Sequence, residues 1–398
     1  QGHTPGVTGD RGEYGRQDRR DYIPGEIIRN EGAVFSWRSF LLCMERICNG
    51  IPSCERKDEM CMNAAKIDLH LHLDGSLYLP WAWKTAVKRG VVEAECTFEE
   101  YYSRFHRRNF KTREEGMKRF DFPIDVMQTK EDLADAAYYL VQTLSIQQMF
   151  YAEIRFAPQQ HTKCGLTQRE AVLAVCDGLE RAKQDFPDID TGLLCCLMHK
   201  GENAHVNEKE NFETVEVVRE LLSDRVLGLD LAGYENTGDF LLYAPLFEKA
   251  HSYGIPYTIH AGEMGEGAHV MDALAMKANR IGHGINCIQN PEWLHAVVES
   301  QIPLELCPTS NTRYELGYAA LPVRQLLDAG ARITLNTDNM SFGRTSLAHE
   351  YDMMRSVGIS QKELWQCAWN AADAAFCSES RKERLRERLR EEQNKKTE

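Results

Sequence analysis

His70 and His72 stand two apart in the segment KIDLHLHLDG. On an extended strand, positions two apart face the same side, so both imidazoles can reach one ion. Such a pair alone is more often structural than metal-binding. Two further groups change that balance. His260 falls at the end of the apolar run YTIHAGE, and Asp338 at the end of RITLNTD. A buried, charged Asp at a strand end is costly unless it is paired or ligates a cation. Three imidazoles and one carboxylate suit zinc or another borderline divalent ion. With a position left for water, the ion lowers its pKa to about 7 and supplies hydroxide at neutral pH.

Glu263 follows His260 by three residues. It begins the next loop, beside the ion without having to ligate it. A carboxyl there can carry protons to or from a substrate. The competing role is helix capping near the AGEMGEGA turn. His283 lies between glycines in GHG, which admit a ligand close to the backbone. It could orient the hydroxide, stabilise developing charge or act as a base, and the spacing does not choose. His199 closes another apolar run and reads as supporting or packing. His161, His205, His269, His295 and His349 fall in helices or loops and read as surface or packing residues. The sequence has no G-x-S-x-G elbow, Walker A loop or Rossmann glycine fingerprint. It also lacks the H-x-E with P-C-x-x-C signature of the cytidine-type zinc deaminases.

The elements that would position these groups recur along the chain. Eight β-rich runs occupy 66–73, 151–158, 191–198, 226–233, 257–263, 280–284, 303–310 and 332–338. Most are apolar on both faces, the pattern of parallel strands buried between helices and a core. Helix-like stretches at 169–186, 210–222 and 245–254 alternate with them, the last with Gly254 as a C-terminal stop. Eight strands alternating with helices predict an α/β fold, a (β/α)8 TIM-type barrel. The chemically capable residues fall at the C-terminal ends of the runs, where such barrels build their sites, which favours the barrel over an open doubly wound sheet. The gap 74–150 predicts a helical lid insertion after the first strand, with the basic stretch 101–119 as a solvated helix face. Residues 379–398 read as a solvated, charged helical tail.

Composition bounds the partners. The 398 residues carry a net charge of −13, from 47 basic and 60 acidic side chains. An acidic chain does not attract phosphate polymers, so nucleic acid is excluded as an expected partner. No apolar stretch is long enough for a membrane span. The 13 cysteines are odd in number and many lie in apolar runs, as in GLLCCLM, which reads as buried thiols in a cytoplasmic protein. Residues 1–61 read as a disordered or non-native extension ahead of the barrel domain over 62–378. Met62 is the expected natural start, and Cys43, Cys48, Cys54 and Cys61 match no common zinc spacing.

Six segments in order, KIDLHLHLDGSL, GLDLAGYE, IHAGE, RIGHGI, LCPTSN and LNTDN, resemble the adenosine deaminase family of metal-dependent amidohydrolases. The resemblance covers about residues 63–378. It implies one zinc ion per chain, with His70, His72, His260 and Asp338 as ligands. It implies Glu263 as proton donor to purine N1 and His283 as the residue beside the zinc-bound hydroxide. Asp74 resembles the carboxylate that holds the ribose, Gly233 the backbone donor facing purine N3, and His72 is near enough to touch substrate. The implied reaction is hydrolytic deamination of adenosine, and of 2′-deoxyadenosine, in purine salvage. One departure stands out: Asn339 occupies a position where many members carry a second Asp. N7 of a purine is an acceptor, and Asn can donate where an ionised Asp cannot. The alternatives are a deaminase of adenine, N6-methyl-AMP or AMP, and a non-catalytic nucleoside-binding barrel. The expected assembly is a monomer or weak homo-oligomer.

Overall fold

In the computed structural model the described residues are 64–106, 116, 118–200, 204–235, 239–264, 267–312 and 321–395, with two short strands nearer the N-terminus. Those strands, Ile28–Asn30 and Ala33–Phe35, pair antiparallel within a unit spanning Gln1–Arg56. A second unit spans Lys57–Glu398. Met62 and the cysteines at 43, 48, 54 and 61 lie outside the described residues.

The eight apolar runs fold as β1 (Ile67–His72), β2 (Tyr151–Phe156), β3 (Asp190–His199), β4 (Val226–Gly233), β5 (Tyr257–Ala261), β6 (Arg280–His283), β7 (Leu304–Leu306) and β8 (Ile333–Leu335). All neighbours are parallel and follow chain order. The strands are buried along almost their whole length, as runs apolar on both faces require. The segment after β8 closes the ring. The Asp338 N–H donates to the His70 carbonyl at 2.8 Å, and the His72 N–H donates to the Asp338 carbonyl at 2.7 Å. The architecture is a (β/α)8 barrel.

Two strands are shorter than the sequence predicts by four residues or more. β7 stops before Pro308, which has no N–H for a ladder and instead opens a short helix, Pro308–Asn311. β8 stops at Leu335, after which the Asn336 side chain accepts from the Leu69 N–H at 3.0 Å in place of a backbone group. Asp338 then takes a left-handed φ of 58°. Asp338 and Asn339 therefore lie past the end of β8.

The expected helices appear as Gln168–Asp185, Glu208–Leu221 and Ala244–Ser252. The first starts in a capping box between Thr167 and Glu170. Between β1 and β2 the insertion contains helices Leu79–Arg89, Phe98–Phe105, Asp121–Val126 and Lys130–Ile146. The solvated face expected over 101–119 needs correction in part: Arg104 is exposed, and Arg107, Arg108, Lys111 and Arg113 lie outside the described residues. Tyr101 and Phe105 are buried, and Lys118 and Arg119 line a cavity at the barrel mouth. The Arg119 guanidinium stands 4.7 Å from the Phe342 ring, as its flat, weakly hydrated head allows.

The charged tail is also corrected. It is helical over Glu379–Asn394, but Arg381, Leu385 and Leu389 are buried, one stripe at a spacing of four. Arg381 pairs with Asp190 at 2.8 Å, at the start of β3. This helix packs against the barrel end opposite the site. Among the described residues no helix is long and apolar enough to cross a membrane.

Candidate metal centre and active site

His70 and His72 leave β1 on one face, and His260 arrives from β5. The Nε2 atoms of His72 and His260 are 3.3 Å apart. Asp338 Oδ1 lies 3.4 Å from His72 Nε2 and 3.6 Å from His70 Nε2. Two nitrogens each about 2.0–2.1 Å from a tetrahedral zinc would be separated by about 3.3–3.4 Å. The donors are thus spaced as ligands of one ion. Gly282 makes this convergence possible: a Cβ there would come within 3.2 Å of both the His70 ring and His260 Cα. That glycine clears space for the ring cluster rather than for a ligand.

His70 supplies the test of fit. It is fully buried, its Nδ1 bonds Glu305 Oε2 at 2.8 Å, and its Nε2 has no hydrogen-bond partner. An orphaned, buried imidazole nitrogen is costly. A cation on the Nε2 lone pair removes that cost. His260 is held likewise, with Nδ1 at 3.0 Å from Asp230 Oδ1. A carboxylate accepting the Nδ1 hydrogen fixes the ring and leaves Nε2 for a metal. The residues present fit a metal with three nitrogen donors and one oxygen donor.

Neither supporting carboxylate was anticipated from sequence. Arg155, inside β2, reaches both: its guanidinium donates to Asp230 at 3.0 Å and to Glu305 at 3.1 Å. Arg280 in β6 bonds Glu305 and also Glu153, the latter at 2.6 Å. Burial alone would raise the Asp230 and Glu305 pKa values, but the facing cations and imidazoles win and hold both below the carboxylate range. Burial likewise opposes the Asp338 carboxylate, and the His70 and His72 imidazoles keep it ionised. Burial, opposed by the Asp338 carboxylate and reinforced by the neighbouring His260, His70 and Arg155, holds His72 well below the usual imidazole value. The available signal was a charge in the middle of an apolar strand, as in EIRF, GLDL and PLEL.

Glu263 begins the loop after β5, and its Oε2 is 3.7 Å from His283 Nε2. Burial pushes its carboxyl up. A capping role does not describe it. Another carboxylate, Glu235, holds the loop: it accepts from the N–H groups of Gly262, Glu263 and Met264 at 2.7, 2.9 and 2.9 Å. It also accepts from His269 Nδ1 at 2.8 Å, so His269 is buried and tied in. Glu235 closes the segment GLDLAGYE and was not singled out in sequence.

A cavity of about 590 Å³ opens at this rim, a size suited to a small organic ligand. Every predicted site residue except His70 lines it: His72, Asp74, Gly233, His260, Glu263, His283, Asp338 and Asn339. His70 is sealed behind them. The Asp74 carboxyl is raised to about 6 by burial. Gly233 has a φ of 117°, and a Cβ there would lie 2.5 Å from the His199 carbonyl, so no side chain fits. His199 also lines the cavity, packed near Phe240 and Tyr243, and no ligand role falls to it. His161 is buried on the Met127 carbonyl, and burial lowers it to about 4.

A parallel (β/α)8 barrel with this cluster on its C-terminal rim has the architecture of metal-dependent hydrolases. The family model "Adenosine deaminase" matches residues 65–392, and the chain belongs to that family. The adenosine deaminase of Haemophilus ducreyi is 35% identical over 80% of this chain and 94% of its own length. The crystal structure of the arabidopsis N6-mAMP deaminase is 26% identical, with a TM-score of 0.72, covering 83% of this chain and 100% of that one. The crystal structure of an adenine deaminase from Arthrobacter aurescens shares the fold, with a TM-score of 0.73 at 24% identity over 82% of this chain and 98% of that one.

Proposed function

We propose that this hydrolase converts adenosine, and 2′-deoxyadenosine, to the corresponding inosine and ammonia in purine salvage, using one zinc ion held by His70, His72, His260 and Asp338. One observation carries the reading: a carboxyl raised by burial, Glu263, faces the same cavity as the three imidazoles and Asp338. The ion, when bound, supplies a Lewis acid that makes water nucleophilic near neutral pH. Water addition at an aromatic C–NH2 carbon also pushes electrons onto the ring. Glu263 answers that by protonating N1, and it must hold its proton when substrate arrives, a state that burial favours by raising its pKa. Asp74 accepts from a ribose hydroxyl. Gly233, having no side chain, lets N3 approach its backbone N–H. Asn339 donates to N7. The buried thiols of Cys195, Cys196 and Cys307 suit the reducing cytoplasm, where we place the enzyme as a monomer or weak homo-oligomer.

A second reading, a 5′-monophosphate such as N6-methyl-AMP or AMP, has its own support. Lys118, Arg119 and Lys200 line the cavity and could meet a phosphate. One experiment separates the two. The metal-loaded protein is offered adenosine, 2′-deoxyadenosine, adenine, AMP and N6-methyl-AMP, and the released amine and product purine are followed. The nucleosides are expected to have the highest kcat/KM. Faster turnover of either nucleotide would replace the first reading with the second. Turnover of adenine alone would sink both.

A further inference from the structure

The segment LCPTSN ends on Asn311, to which the reaction above gives no part. Asn311 closes the short helix after β7. One atom of its amide lies 3.0 Å from the Cys307 backbone nitrogen, and the other lies 3.0 Å from His283 Nδ1. A backbone N–H can only donate, so the amide atom it meets must be the oxygen. The remaining atom is then the NH2 group, which has hydrogens and no accepting lone pair. His283 Nδ1 must therefore accept. A hydrogen on Nδ1 would point at the hydrogens of the amide. The imidazole is thereby left with its hydrogen on Nε2, the nitrogen that faces Glu263.

We propose that Asn311 is a positioning residue that locks His283 as an Nε2–H donor, so that His283 hydrogen-bonds the attacking oxygen and does not take its proton. This selects between the donor and base roles that the sequence leaves open for His283. It rests on the deaminase reading for its catalytic consequence, but the hydrogen's position on the ring does not.

The test is Asn311→Asp in the full-length, metal-loaded protein. The change is nearly isosteric, and one carboxylate oxygen still accepts from Cys307. The other now accepts from His283, which as a neutral ring carries its hydrogen on Nδ1 and turns a bare lone pair toward the cavity. Long-range 1H–15N correlation spectra of histidine-labelled protein report the tautomer directly, with the His283 signals assigned by their loss in His283→Ala. The parent is expected to show Nε2–H and Asn311→Asp to show Nδ1–H. In the variant kcat falls at least about tenfold, the scale of outer-shell substitutions, while KM stays within about threefold and metal content is unchanged. A parent spectrum with the hydrogen on Nδ1 overturns the proposal, as does a variant with the shifted tautomer and parental kcat. Should Asn311→Asp not fold, the parent spectrum decides the lock, and Asn311→Ala, with both tautomers appearing, replaces it. A parent that deaminates nothing would sink the deaminase reading while leaving the tautomer decided by the spectrum.

Discussion

The Asn339 side-chain oxygen is buried without a hydrogen-bond partner, packed against Gly75. That leaves Nδ2 as the amide atom able to serve a ligand in the cavity. An Asp in the same place would put a carboxylate oxygen where no donor meets it, close to Asp338. Ionised, such a group is both poorly solvated and unable to donate to N7. Asn339→Asp is therefore expected to retain the metal and to lose kcat/KM for adenosine by roughly tenfold to a hundredfold above neutral pH, the scale of one unsatisfied ring nitrogen. The loss should shrink at lower pH, where a protonated Asp can donate. With 7-deazaadenosine, which lacks the N7 acceptor, parent and variant should differ little. An equal loss on that analogue would remove the N7 contact. At this scale the sequence was legible wherever a residue's type and strand position imply a direction. His70 and His72 share a face by strand periodicity, and His260 and Asp338 close their runs. Arg155, Asp230 and Glu305 escaped because each sits inside a run whose apolar neighbours dominate the pattern. Their partners come from different strands and are invisible to local spacing. Asn311 escaped for the same reason, since His283 lies 28 positions away.

Among the elements, the C-terminal helix is where pattern and packing part. Its sequence, ESRKERLRERLREEQN, is dominated by charge, and two leucines four apart suggest only a narrow stripe. A narrow stripe is enough when long Arg stems flank it. Arg388 illustrates this: its guanidinium lies 3.8 Å from the Phe150 ring and donates to the Asp188 carbonyl at 2.7 Å. The helix thus clamps the segment that leads into β3, at the barrel end where residues serve stability rather than chemistry. Leu389 is fully buried there. Leu389→Ala should lower the unfolding free energy by about 2–5 kcal/mol, the usual range for a buried leucine cut to alanine. Turnover of the folded fraction should be unchanged. Urea denaturation alongside steady-state kinetics separates the two, and parental stability would return the helix to a solvated tail. The ends of β7 and β8 were misjudged for a related reason. Hydropathy continues past both strands, while the regular ladder is stopped by Pro308 in one and, past Leu335, by the Asn336 side chain standing in for a backbone acceptor in the other. Apolar pattern reports burial, and burial outlasts the ladder.

At the scale of the whole molecule, ionisable groups run through the barrel wall, and not all of them serve the cavity. Glu350 is fully buried in the helix Leu347–Ser356. It accepts from the Thr309 N–H at 2.9 Å and bonds the Thr345 hydroxyl, so it ties the turn after β7 to the segment after β8. Burial raises its carboxyl to about 7, against which the threonine hydrogen bonds work only partly, and Asp68 adds repulsion. A carboxyl in the unfolded chain titrates near about 4.3. Between those two values the folded state holds a proton that the unfolded state has released. Stability from this group is therefore complete below about pH 4, declines as pH rises toward 7, and is flat beyond. Glu350→Gln removes the titration while keeping both contacts. Its oxygen accepts from Thr309, and its NH2 donates to the Thr345 oxygen, whose hydrogen can turn to the Ser346 carbonyl 3.4 Å away. The variant should match the parent or fall slightly below it near pH 4.5, and exceed it by an amount of order 1–3 kcal/mol at pH 8.5. Denaturation at both pH values measures the difference, in which the metal cluster and Asp68 largely cancel because both proteins contain them. A gap between variant and parent that does not widen with pH would show that Glu350 enters the folded barrel already ionised.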